Sequence, residues 1–240
     1  MEKRIAAVQS NYIPWKGYFD LINSVDEFIL LDDAQYTRRD WRNRNRIKTP
    51  QGIRWLTIPV TAKGRYLQRI DATEISDPAW ADRHLTTLAH AYGRSRHFKR
   101  YLPYFERLYA NASHMLSQVN RAFLETICEM LGIDTKLSWS ADYPSALTKD
   151  ERLVSLCQET GARHYLSGPT ARGRLDERVF AEAGISVSYF DYSDYPIYDQ
   201  LHPPFVHDVS IVDLLFNVGP DAHQYMKSFS VSPTAPTPDR

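Results

Sequence analysis

Apolar positions along this chain follow two rhythms. Short apolar runs alternate with stretches that repeat every three and four residues, which is how strands alternate with helices. "RIAAVQS" at 4–10 reads as a short buried strand. Gly17 then precedes "YFDLINSV", where Tyr18, Leu21, Ile22 and Val25 fall at i, i+3, i+4 and i+7 and form one apolar helical face. "EFILLDD" is an apolar run closed by two aspartates, the form of a strand buried on both faces. Strand, helix and strand in about thirty residues make a βαβ unit. "IRWLTIPV" reads as a further strand, and "RYLQRIDATEI" as another extended segment.

The middle of the chain is helical. In "SDPAWADRHLTTLAHAYG", Asp77 is the expected cap, Pro78 suits the first turn and Gly93 ends the helix. Two more helices follow, parted near Asn111–Ser113. The second carries Leu116, Val119, Phe123, Ile127 and Met130 on one side and stops at Gly132. Alternation then returns. Thr148 and Glu151 form a capping-box pair before "RLVSLCQET". "HYLSG" is a strand, "RLDERVFAEA" a helix ended by Gly184, and "ISVSYFDY" a strand. "SIVDLLFNVG" is a last helix with Ser210 as cap and Gly219 as stop. The expected fold is α/β: a mostly parallel sheet built from βαβ units, with a helical insertion at about residues 76–135. One domain over residues 1–229 accommodates it.

From Ser230 onward, "SVSPTAPTPDR" has the composition of a disordered tail. Deleting residues 231–240 should leave melting temperature and activity nearly unchanged, because the segment has almost nothing apolar to bury. A fall of several degrees in a thermal melt would show that the tail docks.

Composition narrows the function. The 240 residues include 29 basic and 29 acidic side chains, with a pI near 7.1. A general polyanion binder carries a basic excess over a whole face, so nucleic acid is not the expected partner. Cys128 and Cys157 both sit in apolar helical patterns, as buried free thiols of a reducing compartment do. No Cys/His ligand spacing is present, which excludes the usual structural zinc patterns and leaves no metal site expected. No stretch has the roughly 20 apolar residues of a membrane span, and the first residues lack the apolar core of a signal peptide. A cytoplasmic location is expected.

Against this neutral background, "RRDWRNRNRI" at 38–47 concentrates five arginines, a tryptophan and two asparagines. A local cluster calls for a local anion. Extended backbone would put Arg42, Arg44 and Arg46 on one face, and Trp41, Asn43 and Asn45 on the other. Guanidinium binds phosphate or carboxylate in bidentate fashion, and tryptophan stacks on a base or sugar. Arg44, flanked by two amides, is expected to matter most. A charged edge strand that discourages aggregation is the plain alternative.

Ligands of such sheets bind beyond the carboxyl ends of the strands. Three predicted strand ends are polar: Gln9-Ser10-Asn11, Asp32-Asp33-Ala34-Gln35 and Ser167-Gly168-Pro169. Ser167 and Gly168 offer backbone N–H groups to an oxyanion. Asp32 or Asp33 can orient a base, pair with an arginine or hold Mg²⁺, the last being the weakest expectation. His84, one turn after Trp80, and His202, in the rigid loop "YDQLHPPF", are candidate general bases. The common hydrolase, dinucleotide and nucleotide-triphosphate motifs are absent.

Several stretches, taken in order and spacing, resemble the WbqC-like proteins: "VQSNYIPWKGYFDLI", "LLDDAQYTRRDWRNRNRI", "WLTIPV", "WADRHLTTLAHAY", "YLSGP" and "SIVDLLFNVG". The resemblance spans about residues 5–220. It falls on Gln9, Tyr12, Pro14, Gly17, Tyr18, Phe19, Asp32, Asp33, Gln35, Trp41, Asn43, Arg44, Asn45, Trp80, His84, Ser167, Gly168, Pro169, Asp213 and Asn217. Two positions depart from the pattern: Ser10 stands where the usual motif has proline, and Asp199 where "YPQ" is expected. The resemblance implies a biosynthetic enzyme of bacterial surface-polysaccharide or natural-product pathways, acting on amino sugars or other amines.

The function expected from residues and resemblance together is a transferase that forms an amide, using an acyl or aminoacyl donor. Arg42, Arg44 and Arg46 would hold donor or nucleotide phosphates, and His84 or His202 would take the amine proton. Gln9, Asn11, Tyr12, Gln35, Trp41, Asn43, Asn45 and Trp80 complete the expected substrate site. The partner is then a small anionic or nucleotide-linked substrate, with an acyl or peptidyl carrier protein as a further donor form. A glycosyltransferase or other nucleotide-sugar enzyme would use the same anion site. An RNA-binding module, with the arginine stretch as its contact, is the alternative of another class.

Overall fold

A computed structural model describes residues 2–143, 145, 147 and 149–229. Thr148, half of the expected capping box, and the tail from residue 230 lie outside the described residues.

Five parallel strands make the central sheet: β1 (Arg4–Val8), β2 (Glu27–Leu30), β5 (Lys136–Trp139), β6 (His164–Ser167) and β7 (Ser186–Tyr189), in the order β5-β2-β1-β6-β7. Counting only these five in chain order gives 3-2-1-4-5, the doubly wound order, with the reversal between β1 and β6. Residues alternate between the two faces. Ala6, Phe28 and Leu30 enter one core, while Ile5, Ala7 and Ile29 enter the other.

The helices follow from the reversal, because right-handed crossovers in opposite directions cover opposite faces. Helix α1 (Lys16–Asn23), between β1 and β2, packs Phe19, Leu21 and Ile22 on the first face. Helices α5 (Lys149–Thr160) and α6 (Glu177–Glu182) place Leu156, Cys157 and Phe180 on the second. Between β2 and β5 lie α2 (Trp80–Tyr92), α3 (Phe98–Ala110) and α4 (Leu116–Leu131), which extend the first core. Helix α7 (Ile211–Val218) is capped by the Ser210 hydroxyl and stopped at Gly219, where φ is 75°, as its sequence implies. Cys128 and Cys157 are buried free thiols, and burial pushes both up to about 12.

Three local expectations change. The strand in "IRWLTIPV" forms as β4 (Gly52–Thr57), but it pairs antiparallel with β3 (Arg44–Thr49) in a hairpin apart from the sheet. "RYLQRIDATEI" makes turns joined by the isolated bridges Gln35–Arg69 and Val60–Ile75, because Gly64, Asp71 and Thr73 favour turns over a ladder. Helix α2 starts at Trp80, and Asp77 instead accepts the Ala79 amide and pairs with Arg83.

At the amino end of β2, Glu27 is fully buried. Burial alone would raise its carboxyl. Hydrogen bonds from Lys3, Ser138, Tyr143 and Lys136 outweigh that and hold it at about 2. A carboxyl lowered by folding contributes stability above its ordinary value and loses it as the pH falls. Acid melts should therefore lose about 3 kcal/mol from this group between roughly pH 5 and pH 2. Glu27→Gln should remove that part of the pH dependence, and an unchanged acid profile would contradict it.

Candidate functional site

The carboxyl ends of β1 and β2 separate two clefts of opposite character. The first lies beyond β2 and β5. It has a volume of about 200 Å³ and is lined by Asp32, Asp33, Asp71, Asp142, Ser117, Gln118, Trp139 and Ser140. Asp32 is 1% exposed and accepts the Ser10 amide at 2.9 Å and the Ser117 hydroxyl. Burial raises its carboxyl; Ser117, Ser10 and Arg42 hold it down only in part. Asp33, the next residue, turns to Ser140 Oγ at 2.6 Å, with Arg152 at 3.6 Å behind it. The two aspartates thus face one cleft, because the strand ends at Leu30 and a turn follows. Trp139 donates to Ser117 at 3.1 Å and stacks under the Arg121 guanidinium at 3.9 Å. Arg69 pairs with Asp71, so the cleft's negative charge is balanced only in part.

The second cleft lies at the β1 end, toward the reversal of strand order. Its volume is about 170 Å³, and its walls are Asn11, Pro14, Trp15, Trp41, Asn45 and Asp208. Its geometry starts with two backbone features of "NYIPWKG". Buried Ile13 has a φ of 35°, a costly conformation for a β-branched residue. Gly17 accommodates the Trp15 indole, since a Cβ at Gly17 would come within 2.3 Å of the ring. Tyr192 and Tyr195 brace that indole edge-on, with centroids at 5.1 and 5.5 Å. Gly17→Ala should therefore displace Trp15 and open the cleft. The expected result is a change in tryptophan emission with loss of ligand binding, and unchanged emission would count against this geometry.

Arginines flank the second cleft. Arg42 donates to Gln9 O at 3.3 Å and to Asn11 Oδ1, and lies 3.6 Å from Asp40. Arg46 pairs with Asp208 and lies over Trp41 at 5.5 Å. Arg44 departs from its expected place. Asn43 and Asn45 donate their amides into the core, to Ile58 O at 2.7 Å and Tyr12 O at 3.1 Å. Arg44 instead covers the Trp55 face at 4.2 Å and lines a separate shallow depression with Arg38 and Arg39. The reason is local: residues 38–43 are turns, and period-2 alternation starts only at Arg44. Trp41 consequently lies beside Arg46 rather than opposite it. The Nε atoms of Arg42, Arg44 and Arg46 are all buried without a hydrogen-bond partner. A buried unpaired donor is costly, and such groups at a cleft point to a missing acceptor.

The other expected site residues are placed elsewhere. Tyr12 is fully buried, and its hydroxyl meets His84 Nδ1 at 2.9 Å and Tyr109 at 2.6 Å. His84 Nε2 faces Thr57 O at 3.2 Å, so both ring nitrogens are taken; burial lowers the imidazole to about 4. Trp80 packs edge-on against Tyr12, His84 and Tyr109. This aromatic cluster braces the β1 loop from within. His202 bonds Ala91 O at 2.7 Å and fixes the loop after Tyr198, rather than joining His84 at one substrate. Gln35 donates to Tyr66 O at 2.6 Å and does not line the acidic cleft. Ser167 is buried and its carbonyl accepts the Phe190 amide, while Gly168 lies near the Tyr192 hydroxyl. Asp213 is buried and accepts from Tyr92, Tyr198 and Asn217, a brace for α7.

Sequence reading passed over Trp15, Asp208, Ser117, Trp139 and Arg152. The signal for one group was present: "KLSWSAD" is a strand with a polar end like the other three. That signal is weak because β5 is four residues long and starts with lysine. Among the described residues, no group of three or more His, Cys, Asp or Glu is placed to hold a metal ion, and no helix is long and apolar enough to cross a membrane.

Comparison with known proteins agrees with the motif reading. The uncharacterized protein Rv1507c of Mycobacterium tuberculosis is 52% identical over 226 residues, covering 94% of this chain and 98% of that protein. No solved structure matches the chain. The family model of the WbqC-like proteins matches residues 9–225, a span that contains both clefts, and the chain belongs to that family.

Proposed function

We propose that the protein is a transferase that forms an amide, joining an amine held in the acidic cleft to an acyl or aminoacyl donor held in the arginine cleft. The observation that carries this reading is a pair of clefts at neighbouring strand ends, one lined by four aspartates and the other flanked by Arg42 and Arg46. One seam links them: Asp32 holds the Ser10 amide, and the next residue, Asn11, holds Arg42.

An ammonium group enters beside Asp33, and Trp139 offers an aromatic face to a sugar ring or alkyl portion. Asp32, with its carboxyl raised by burial, accepts the proton that frees the nitrogen lone pair. The nitrogen attacks the donor carbonyl carbon and a C–N bond forms. The carbonyl's bond to its thiolate or phosphate leaving group breaks, that group keeps the electron pair, and the second proton of the new C–N nitrogen leaves with it, so that a neutral amide remains. His84 has no role as base in this scheme, because both its nitrogens are held. No cysteine participates either: both thiols are buried in helices.

Incubation with nucleotide amino sugars and simpler amines, each with acyl-CoA and aminoacyl donors, tests the reading by mass spectrometry. The expected result is a product heavier by the acyl group, with the acceptor's nucleotide still attached. Release of free nucleotide from a labelled sugar nucleotide, with the sugar moved to an acceptor, would mark a glycosyltransferase. No mass gain across the panel would overturn the amide reading.

A further inference from the structure

We infer that the arginine cleft is a nucleotide site: a heteroaromatic base enters between Trp15, Pro14 and Trp41, and its phosphates meet Arg42 and Arg46. This deepens the transferase reading by giving the donor a nucleotide portion.

Four independent observations converge on it. The cleft lies beyond the carboxyl end of β1, one of the two strands that flank the reversal of strand order, and doubly wound sheets bind their ligands beyond such ends. Its size of about 170 Å³ suits one small ring system rather than a whole cofactor, so the rest of the ligand must lie outside, along the rim. It is lined by two indoles and a proline, together with Asn11, Asn45 and Asp208. Flat apolar walls with a few polar groups at the edges are what stacking recognition of a base needs. Finally, guanidiniums stand at the rim with buried unpaired Nε atoms, on Arg42 beside Asn11 and on Arg46 beside Asp208. Planar guanidinium is matched to phosphate oxygens through its terminal N–H groups.

Asp208 adds selectivity. A carboxylate at the mouth of the cleft would repel the phosphates, but Arg46 neutralises it in place. It can then accept from a ring N–H or exocyclic amine of the base.

The test is a fluorescence titration of the full chain, since Trp15 and Trp41 line the site. The probes are ADP, GDP, CDP and UDP, with inorganic diphosphate as the control for phosphate alone. At least one nucleoside diphosphate should quench emission, and inorganic diphosphate should bind at least tenfold more weakly. Arg46→Ala and Trp41→Ala should each weaken binding by about tenfold or more. Both side chains are partly exposed, so folding should survive, as a melt will confirm. Arg46→Lys tests the fork and should lose nearly as much. Arg38→Ala and Arg54→Ala, on exposed parts of the hairpin region, should leave binding unchanged.

Absence of binding by any of the four nucleotides overturns the site. Equal affinity for inorganic diphosphate overturns the base pocket. Losses spread evenly over Arg38, Arg46 and Arg54 with a steep salt dependence would reveal a polyanion surface instead. Nucleotide binding without amide formation leaves this site standing and removes the transferase reading. Transfer from a nucleotide-free donor, with no nucleotide bound, does the reverse.

Discussion

Asp32→Asn should cut the rate of amide formation by about 10²- to 10⁴-fold, the range that a positioned general base supplies. The fold should survive intact. Asparagine keeps an oxygen for the Ser10 amide, and its nitrogen can donate to the Ser117 hydroxyl oxygen. What it removes is the charge and the ability to take a proton. The raised carboxyl also sets two signs. In the parent, transfer should fall as the pH drops through a value above the ordinary carboxyl range, as Asp32 becomes protonated. Stability runs the other way. A carboxyl raised by folding contributes stability below its ordinary value of about 3.9 and loses it as the pH rises through the raised one. An asparagine is never charged, so at pH 7 the variant should melt at or above the parent. Activity within a few-fold of the parent would remove Asp32 as the base. A large fall in melting temperature would make it a structural group instead.

The sheet was legible because buried parallel strands and amphipathic helices leave strong periodic signals. "RIAAV", "EFIL" and "HYLS" each lie where their apolar runs place them. The site was legible only in part. Asp32, Asp33, Asn11, Arg42 and Arg46 all border the two clefts; the first three are marked by polar strand ends and the arginines by their local cluster. His84 and Trp80 misled because a helix face says which residues share a neighbour, not whether that neighbour is substrate or core. Here it is Tyr12, Tyr109 and Thr57 O. Arg44 misled because strand alternation needs a starting point, and the turns at 38–43 move it. Trp15 and Asp208 were illegible for another reason. Their cleft is assembled from segments about 190 residues apart, and only tertiary packing brings them together.

Asp20→Ala should lower stability more than any substitution in either cleft. Asp20 is fully buried at the middle of α1 and ties down two distant segments. Its Oδ2 accepts Tyr195 OH at 2.6 Å and the Lys227 amide at 3.0 Å; its Oδ1 accepts the Ser228 amide at 2.8 Å and the Ser228 hydroxyl. Alanine leaves these donors without an acceptor, at about 1–3 kcal/mol for each that stays buried. Some would reach water as the segment loosens, so the net loss should be about 3–5 kcal/mol. In a chain of this length that is a fall in melting temperature on the order of 10 °C. Asp20→Asn keeps one acceptor oxygen and should lose less. The effect should also reach the arginine cleft. Tyr195 braces Trp15, and Lys16 holds the neighbouring Pro196 carbonyl at 3.0 Å, so releasing this segment frees the indole. Tryptophan emission should shift to the red and nucleotide affinity should fall, although Asp20 lines neither cleft. A melt within about 2 °C of the parent would show that residues 195 and 227–228 are held by other contacts.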